Sequence, residues 1–239
     1  METLGDLVAR DRRSRDPALR ARTGVTPRYD YYQLCTTAQK TGNFLSHFGV
    51  GPGTRVGIVP EPGGAPILTL FGTALVGATA RFDPPRETDV RVLVAPGGVV
   101  GEYDRPPGRR TIAYGEDVAD PEIEAFGAGV WSENPACPSP PTLSPDDPVL
   151  KTDDGSYAHA DLLDAAQTVA EDASLSADDE VAIRAPLAHA GTVVAGVLAP
   201  LFVGGTVVFP GEDEVVDVGV VSGGGGPEAR TVDVHDIIG

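Results

Sequence analysis

The sequence predicts an α/β fold: two pseudo-repeated helix-strand-helix-strand units forming mostly parallel sheets covered by helices. Three observations carry this expectation. Apolar runs of strand length alternate with runs of helix length. The same order recurs on both sides of a proline-rich joint. In places the recurrence is residue for residue. Tyr29, Leu34, Ala38 and Gln39 match Tyr157, Leu162, Ala166 and Gln167 at an offset of 128, and LVGAT (75–79) matches FVGGT (202–206) at 127.

Taken in chain order, residues 29–45 place Leu34, Ala38, Thr41 and Leu45 on one helical face, preceded by an extended aromatic stretch. Gly49, Gly51 and Gly53 mark a turn before a buried strand at 55–60. An apolar helix at 65–76 and a strand at 78–82 follow, with Gly77 between them. Segments 90–95 and 110–114 read as two further strands. Between Trp131 and Val149, six prolines (135, 138, 140, 141, 145 and 148) forbid helix and central strand, so this segment is a linker or an extended surface strap. The second unit repeats the series: helix 157–170, an acidic turn at Asp178-Asp179, strand 180–184, helix 192–203, Gly204-Gly205 and strand 206–209. Two more strands are expected at 217–222 and 231–234. The expected division is a first α/β subdomain at 1–131, a linker at 132–148 and a second subdomain at 149–239.

Charge narrows the function classes. The 239 residues hold 35 acidic against 18 basic side chains, a net charge of −17. Nucleic acid and anionic membrane surfaces both demand a positive field, so neither is expected as a partner. Of the basic residues only Lys40 and Lys151 are lysines, a balance expected of a halophile's cytoplasmic surface. Cys35 and Cys137 are too few for a disulfide scaffold or a thiolate metal site, consistent with a reducing cytoplasm. The most apolar run, 193–209, is broken by Gly196, Pro200 and Gly204-Gly205 and falls short of the roughly 20 residues of a spanning helix. No signal peptide is expected at 1–15, which lacks an apolar core.

Four stretches carry a resemblance to a known family: TLGDLVARDRRSRDPAL (3–19), YDYYQLCTTAQKTGNFLSHFGVGPGTRVGIVP (29–60), LVGATA (75–80) and RAPLAHAGTVVAGVLAPLFVGGTVVF (184–209). In this order the chain resembles the N-terminal part of the AMP-forming acyl-CoA synthetases, the adenylate-forming ligases. The departures bear on activity. Where the family has a Thr/Ser/Gly-rich phosphate loop ending in Pro-Lys-Gly, this chain offers only Lys151, Thr152, Asp153, Asp154, Gly155 and Ser156. Two adjacent carboxylates repel a triphosphate unless a divalent metal intervenes, and one glycine gives little backbone access. A tight Asp-Asp-Gly turn is expected there. The family's Tyr-Gly-x-Thr-Glu motif, ribose-binding Asp and catalytic-lysine domain find no counterpart in the sequence.

The resemblance implies candidate ligand-binding residues and no catalytic ones. His189 stands where the family's acyl-pocket histidine does; the competing reading is an inherited packing histidine. Ser222, Gly223 and Gly224 lie in VVSGGGGPE (220–228), similar to the family's Ser-Gly-Gly segment beside the adenine pocket; the competing reading is a flexible loop. The paired aspartates 146-147, 153-154 and 178-179 read as solvated turns and Cys35 as a buried thiol, so no metal site is expected. The expected function is a non-catalytic, degenerate homologue that retains acyl, CoA or adenine-nucleotide (ATP/AMP) binding or regulates a protein partner. The alternative is a component of an active acid-CoA ligase completed by another chain. A third reading is a decaying gene product without selected activity.

Overall fold

Strands β1 (Pro17–Ala21) and β2 (Arg28–Asp30) form an antiparallel hairpin that leads directly into helix α1 (Tyr31–Ser46). The computed structural model describes residues 1–21, 28–116, 118–136 and 141–238, and of Asp236 the backbone alone. Asp30 caps α1: its carboxylate accepts from the Gln33 N–H at 2.7 Å, and Gln33 Oε1 accepts from the Asp30 N–H at 3.1 Å. Then come β3 (Arg55–Ile58), α2 (Gly64–Leu75), β4 (Thr79–Phe82), β5 (Val92–Pro96), β6 (Arg110–Tyr114), β7 (Ile123–Ala125) and α3 (Phe126–Ser132). The second half runs β8 (Pro148–Lys151), β9 (Ser156–Ala158), α4 (His159–Asp172), β10 (Glu180–Ile183), α5 (Ala190–Val193) and α6 (Ala199–Val203). It ends with β11 (Thr206–Phe209), β12 (Val218–Val221) and β13 (Arg230–Asp233). Short 3-10 turns at Leu4–Val8, Arg10–Arg12, Val100–Glu102 and Val234–Asp236 fill the connections.

These elements make the expected α/β fold of mostly parallel sheets flanked by helices. One sheet has the order β7-β6-β5-β3-β4-β8-β9 and the other β13-β12-β10-β11-β1-β2. Among the described residues every pairing is parallel except the hairpins β8-β9 and β1-β2. With repeat equivalents aligned, the two sheets share one strand order, β7 being the addition. The repeat reaches further than the sequence reading took it. Both hairpins carry a register shift between a proline and the leucine two residues on, Pro17/Leu19 and Pro148/Leu150. The hairpins are exchanged: β1-β2 completes the sheet of the second half through β11, and β8-β9 completes that of the first through β4.

The first residues of α1 and α4 seal this exchange. The Tyr31 hydroxyl donates to the Gly205 carbonyl at 2.8 Å, and the Leu4 N–H donates to His159 Nδ1 at 3.1 Å. One continuous core includes Leu4, Leu34 and Phe71 together with Leu162, Val194 and Leu201.

The run 190–203 is helical throughout, with a π-helical turn at Val194–Leu198 between α5 and α6. The widened bond runs from the Ala199 N–H to the Val194 carbonyl, immediately before Pro200, which supplies no N–H to the ladder. Gly204 ends the helix in the left-handed region at φ +92°, so the helix, glycine turn and strand predicted at 193–209 are present. No helix among the described residues is long and apolar enough to cross a membrane. The proline-rich segment is tied to α1 where it is described, with Asn43 Nδ2 donating to the carbonyls of Asn134 (2.6 Å) and Ala136 (3.1 Å). Cys137, Pro138 and Pro140 lie outside the described residues.

Candidate functional site

Parallel strands bring their carboxyl ends to one edge, and the sequence-predicted residues gather there on the sheet that holds β10, β12 and β13. His189 precedes the first turn of α5. Ser222 leaves β12, followed by Gly223 (φ +72°) and Gly224 (φ +78°), a left-handed pair that glycine alone adopts without strain. Two residues missed by sequence reasoning join these segments. The His235 ring lies 5.9 Å from that of His189, centroid to centroid. His235 Nδ1 is 2.9 Å from Asp233 Oδ1, and Asp233 Oδ2 accepts from the Gly223 N–H at 3.1 Å. The hydrogen bond to His235 and the backbone N–H groups of His235 and Gly223 hold the Asp233 carboxyl below the usual range. The result is two neighbouring imidazoles, His235 held by the Asp233 carboxylate and His189 beside it, next to a glycine turn and able to contact a polar ligand. Ser222 makes no side-chain hydrogen bond to either histidine, so the described residues hold no nucleophile-base pair at this edge.

Below this edge lies a buried ion pair. Glu228 is 0% exposed at its side chain, and Arg184 Nε donates to both its oxygens at 2.9 Å. Arg184 Nη2 donates to Glu228 Oε1 and, at 2.5 Å, to the Glu214 carbonyl. The carboxylate occupies the space that a Cβ at Gly219 or Gly226 would fill. Gly226 therefore serves packing, whereas Gly223 and Gly224 serve the turn.

The segment expected to replace the phosphate loop is the turn of the β8-β9 hairpin. Lys151 pairs with Ser156, and the Thr152 N–H donates to the Gly155 carbonyl at 2.9 Å, closing the Asp153-Asp154 turn. Asp153 is bound to Arg81 at 2.5 Å. Its backbone amides therefore sit in a tight closed turn and not in an open anion-binding loop.

Sequence reasoning also missed a cleft of about 800 Å³ at the carboxyl end of the other sheet. Tyr29, Tyr32, Leu68, Phe126, Val130 and Trp131 line it. The Tyr114 hydroxyl donates to the Val59 carbonyl (2.5 Å) and accepts from the Glu61 N–H (3.0 Å), fixing the loop that enters α2. At the opposite wall Lys40 Nζ donates to the Trp131 carbonyl at 3.0 Å and sits 5.4 Å from the indole centroid. Thr36 Oγ1 is buried there without a hydrogen-bond partner. The aromatic cluster at 29–32 was the available signal; its partners Phe126, Val130 and Trp131 come from α3, which the sequence pattern does not mark. Among the described residues no group of three or more His, Cys, Asp or Glu is placed to share a metal ion.

In sequence the chain matches no family model and no curated protein. In structure it matches the anthranilate CoA ligase AuaEII in complex with anthranoyl-AMP at TM-score 0.77 and 19% identity, over 92% of this chain and 49% of that one. A benzoate CoA ligase from Burkholderia xenovorans LB400 gives 0.75 and 19%, over 91% and 50%. A nonribosomal peptide synthetase, FmoA3 with α-methyl-L-serine-AMP bound, gives 0.70 and 22%, over 86% and 23%. The fold is that of the AMP-forming ligases. It corresponds to their N-terminal domain, and the chain spans about half the length of these CoA ligases.

Proposed function

We propose that this chain is a non-catalytic relative of the AMP-forming ligases that binds an apolar or aromatic acyl compound, or an adenine nucleotide or CoA, without activating it. One observation carries this reading: the β8-β9 turn is closed on itself, and its Asp153 is bound to Arg81. Two carboxylates at that turn repel the phosphates that an open, glycine-rich loop would hold. Support for retained binding comes from the imidazole pair of His189 and His235 beside Gly223, and from the aromatic cleft under Trp131. A cavity of that size and lining suits a small acyl or aromatic group. Cytoplasmic residence belongs to the same proposal, in keeping with a free, buried Cys35.

ATP-pyrophosphate exchange at high KCl, with a panel of carboxylic acids, tests the loss of catalysis. The purified chain is expected to give none, and exchange by the chain alone refutes the reading. Exchange only after cell extract is added favours a ligase component completed by another chain. Binding is read from fluorescence, because Trp131 is the one tryptophan and is 84% exposed at the lip of the cleft. A saturable blue shift with an aromatic or aliphatic acid, absent in Tyr32→Ala, is the expected result. No shift with any acid, CoA or nucleotide removes the binding half of the proposal.

A further inference from the structure

A second cleft, of about 770 Å³, opens at the amino end of the seven-stranded sheet, the edge opposite the aromatic cleft. Adjacent parallel strands start there, and each start carries arginine. Arg55 opens β3, Arg91 stands immediately before β5, and Arg109 immediately before β6. In a chain of net charge −17 this is a local concentration of guanidinium groups. Two of the three are committed. Arg55 is paired with Asp89 at 2.5 Å, while Arg91 donates to the carbonyls of Phe48 (2.9 Å) and Gly108 (3.2 Å), fastening two loops together. Arg109 is different. All three of its guanidinium nitrogens are withdrawn from solvent, and none has a hydrogen-bond partner among the described residues.

A guanidinium does not shed its proton to escape this situation, so a buried, unpartnered one is costly unless an acceptor arrives. Burial does push its pKa downward, with Asp104 opposing and Arg105 adding to the shift. Arg105 is itself engaged by Asp120 at 2.5 Å, and as a guanidinium it offers the Arg109 fork no acceptor. The chemistry that satisfies such a fork is a planar or tetrahedral oxyanion taken up by two parallel N–H groups.

We propose that the Arg109 cleft is a binding site for a small oxyanion, a phosphate or carboxylate group, separate from the ligand sites inferred above. Entry of the anion turns the guanidinium from its unpartnered position into the cleft that it lines. Thr88, whose hydroxyl makes no hydrogen bond among the described residues, lines the same cleft and supplies a second donor. Glu87 and Asp104 also face it and limit the guest to low charge, because a polyanion would meet both carboxylates. The proposal does not rest on the reading of the chain as a ligase relative.

The test is thermal unfolding of the full chain in potassium phosphate, potassium acetate and potassium chloride at matched ionic strength. A saturable rise in Tm with phosphate or acetate over chloride is expected, and its midpoint should move at least tenfold higher in Arg109→Gln. A response to phosphate alone assigns a phosphoryl guest, and one to acetate alone assigns a carboxylate. Arg86→Gln, an exposed arginine outside the cleft, is expected to leave the midpoint unchanged. If Arg109→Gln does not fold, Arg109→Lys keeps the charge but loses the fork and should show the same tenfold weakening. An equal midpoint in the Arg109 variants, or no rise above chloride, overturns the proposal.

Discussion

Replacing Arg184 with methionine would leave the Glu228 carboxylate in a site with no exposure and no counter-charge. In the native chain burial pushes the Glu228 carboxyl upward, but the Arg184 hydrogen bonds and nearby backbone N–H groups outweigh it, leaving the group below its ordinary value. The pair therefore contributes stability that is fully present above the unfolded glutamate value of about 4.3 and is lost as pH falls through the lower folded value. Breaking a buried pair from one side costs about 3–5 kcal/mol. The Arg184 side chain is 19% exposed, which favours the lower end, so the expected loss at neutral pH is about 3 kcal/mol. For a chain of this size that corresponds to a Tm drop of roughly 6–12 °C. Urea unfolding followed by circular dichroism, at fixed KCl, measures it. In Arg184→Met the backbone N–H groups alone oppose burial, so the Glu228 pKa rises and acidification relieves the strain. The gap between native and variant should therefore narrow toward pH 4. Arg184→Met/Glu228→Gln should recover most of the loss at neutral pH, because no charge remains to be buried. A loss under about 1 kcal/mol, typical of an exposed pair, or a gap that ignores pH, would refute the reasoning.

Three further outcomes are expected. His159 is 1% exposed, burial lowers its pKa, and the smaller pulls of Asp147 and Asp6 do not compensate. The neutral ring is the folded form, so stability is lost as pH falls below the unfolded value of about 6.5, by no more than about 1.4 kcal/mol per pH unit. His159→Gln should flatten that limb of the urea-unfolding profile. Gly191→Ala drives a Cβ into the Val234 carbonyl and should cost about 1–3 kcal/mol. Hydrogen exchange would then show the 234–238 segment opening first, and uniform protection would contradict this. Burial pushes the Cys35 thiol up to about 11, so peptide-resolved alkylation should leave it unmodified in the native chain and label it in denaturant.

The repeated helices and strands were legible because their apolar positions are dictated by periodicity. Leu34, Ala38 and Leu45 and their counterparts Leu162 and Ala166 face the core as expected. Strands β7 and β8 and helix α3 were not legible. Each is short, and β8 begins at a proline and is paired to β4 through a single register position, Ala80 with Leu150. Such segments owe their conformation to the sheet edge that receives them, not to their own pattern. At the site, the glycine run and His189 were conspicuous by residue type. Asp233 and His235 were not, because two ordinary polar residues acquire meaning only beside Gly223 and His189.

By itself the sequence determined the duplicated α/β plan, the apolar run 193–209 as helix, glycine turn and strand, and the acidic turn at 153-154. All of these depend on interactions within a few residues along the chain, where spacing and residue type decide the outcome. Tertiary structure alone decided which sheet each hairpin joins. The β1-β2 and β8-β9 hairpins are nearly equivalent in sequence register, so local preference does not choose between a hairpin's own half and the other. The choice is enforced by long-range contacts, with Tyr31 reaching Gly205 and His159 reaching Leu4 across the two halves. In the exchanged arrangement the buried Tyr31 hydroxyl and His159 Nδ1 are both satisfied, and these pairings between distant segments are invisible until the chain is folded.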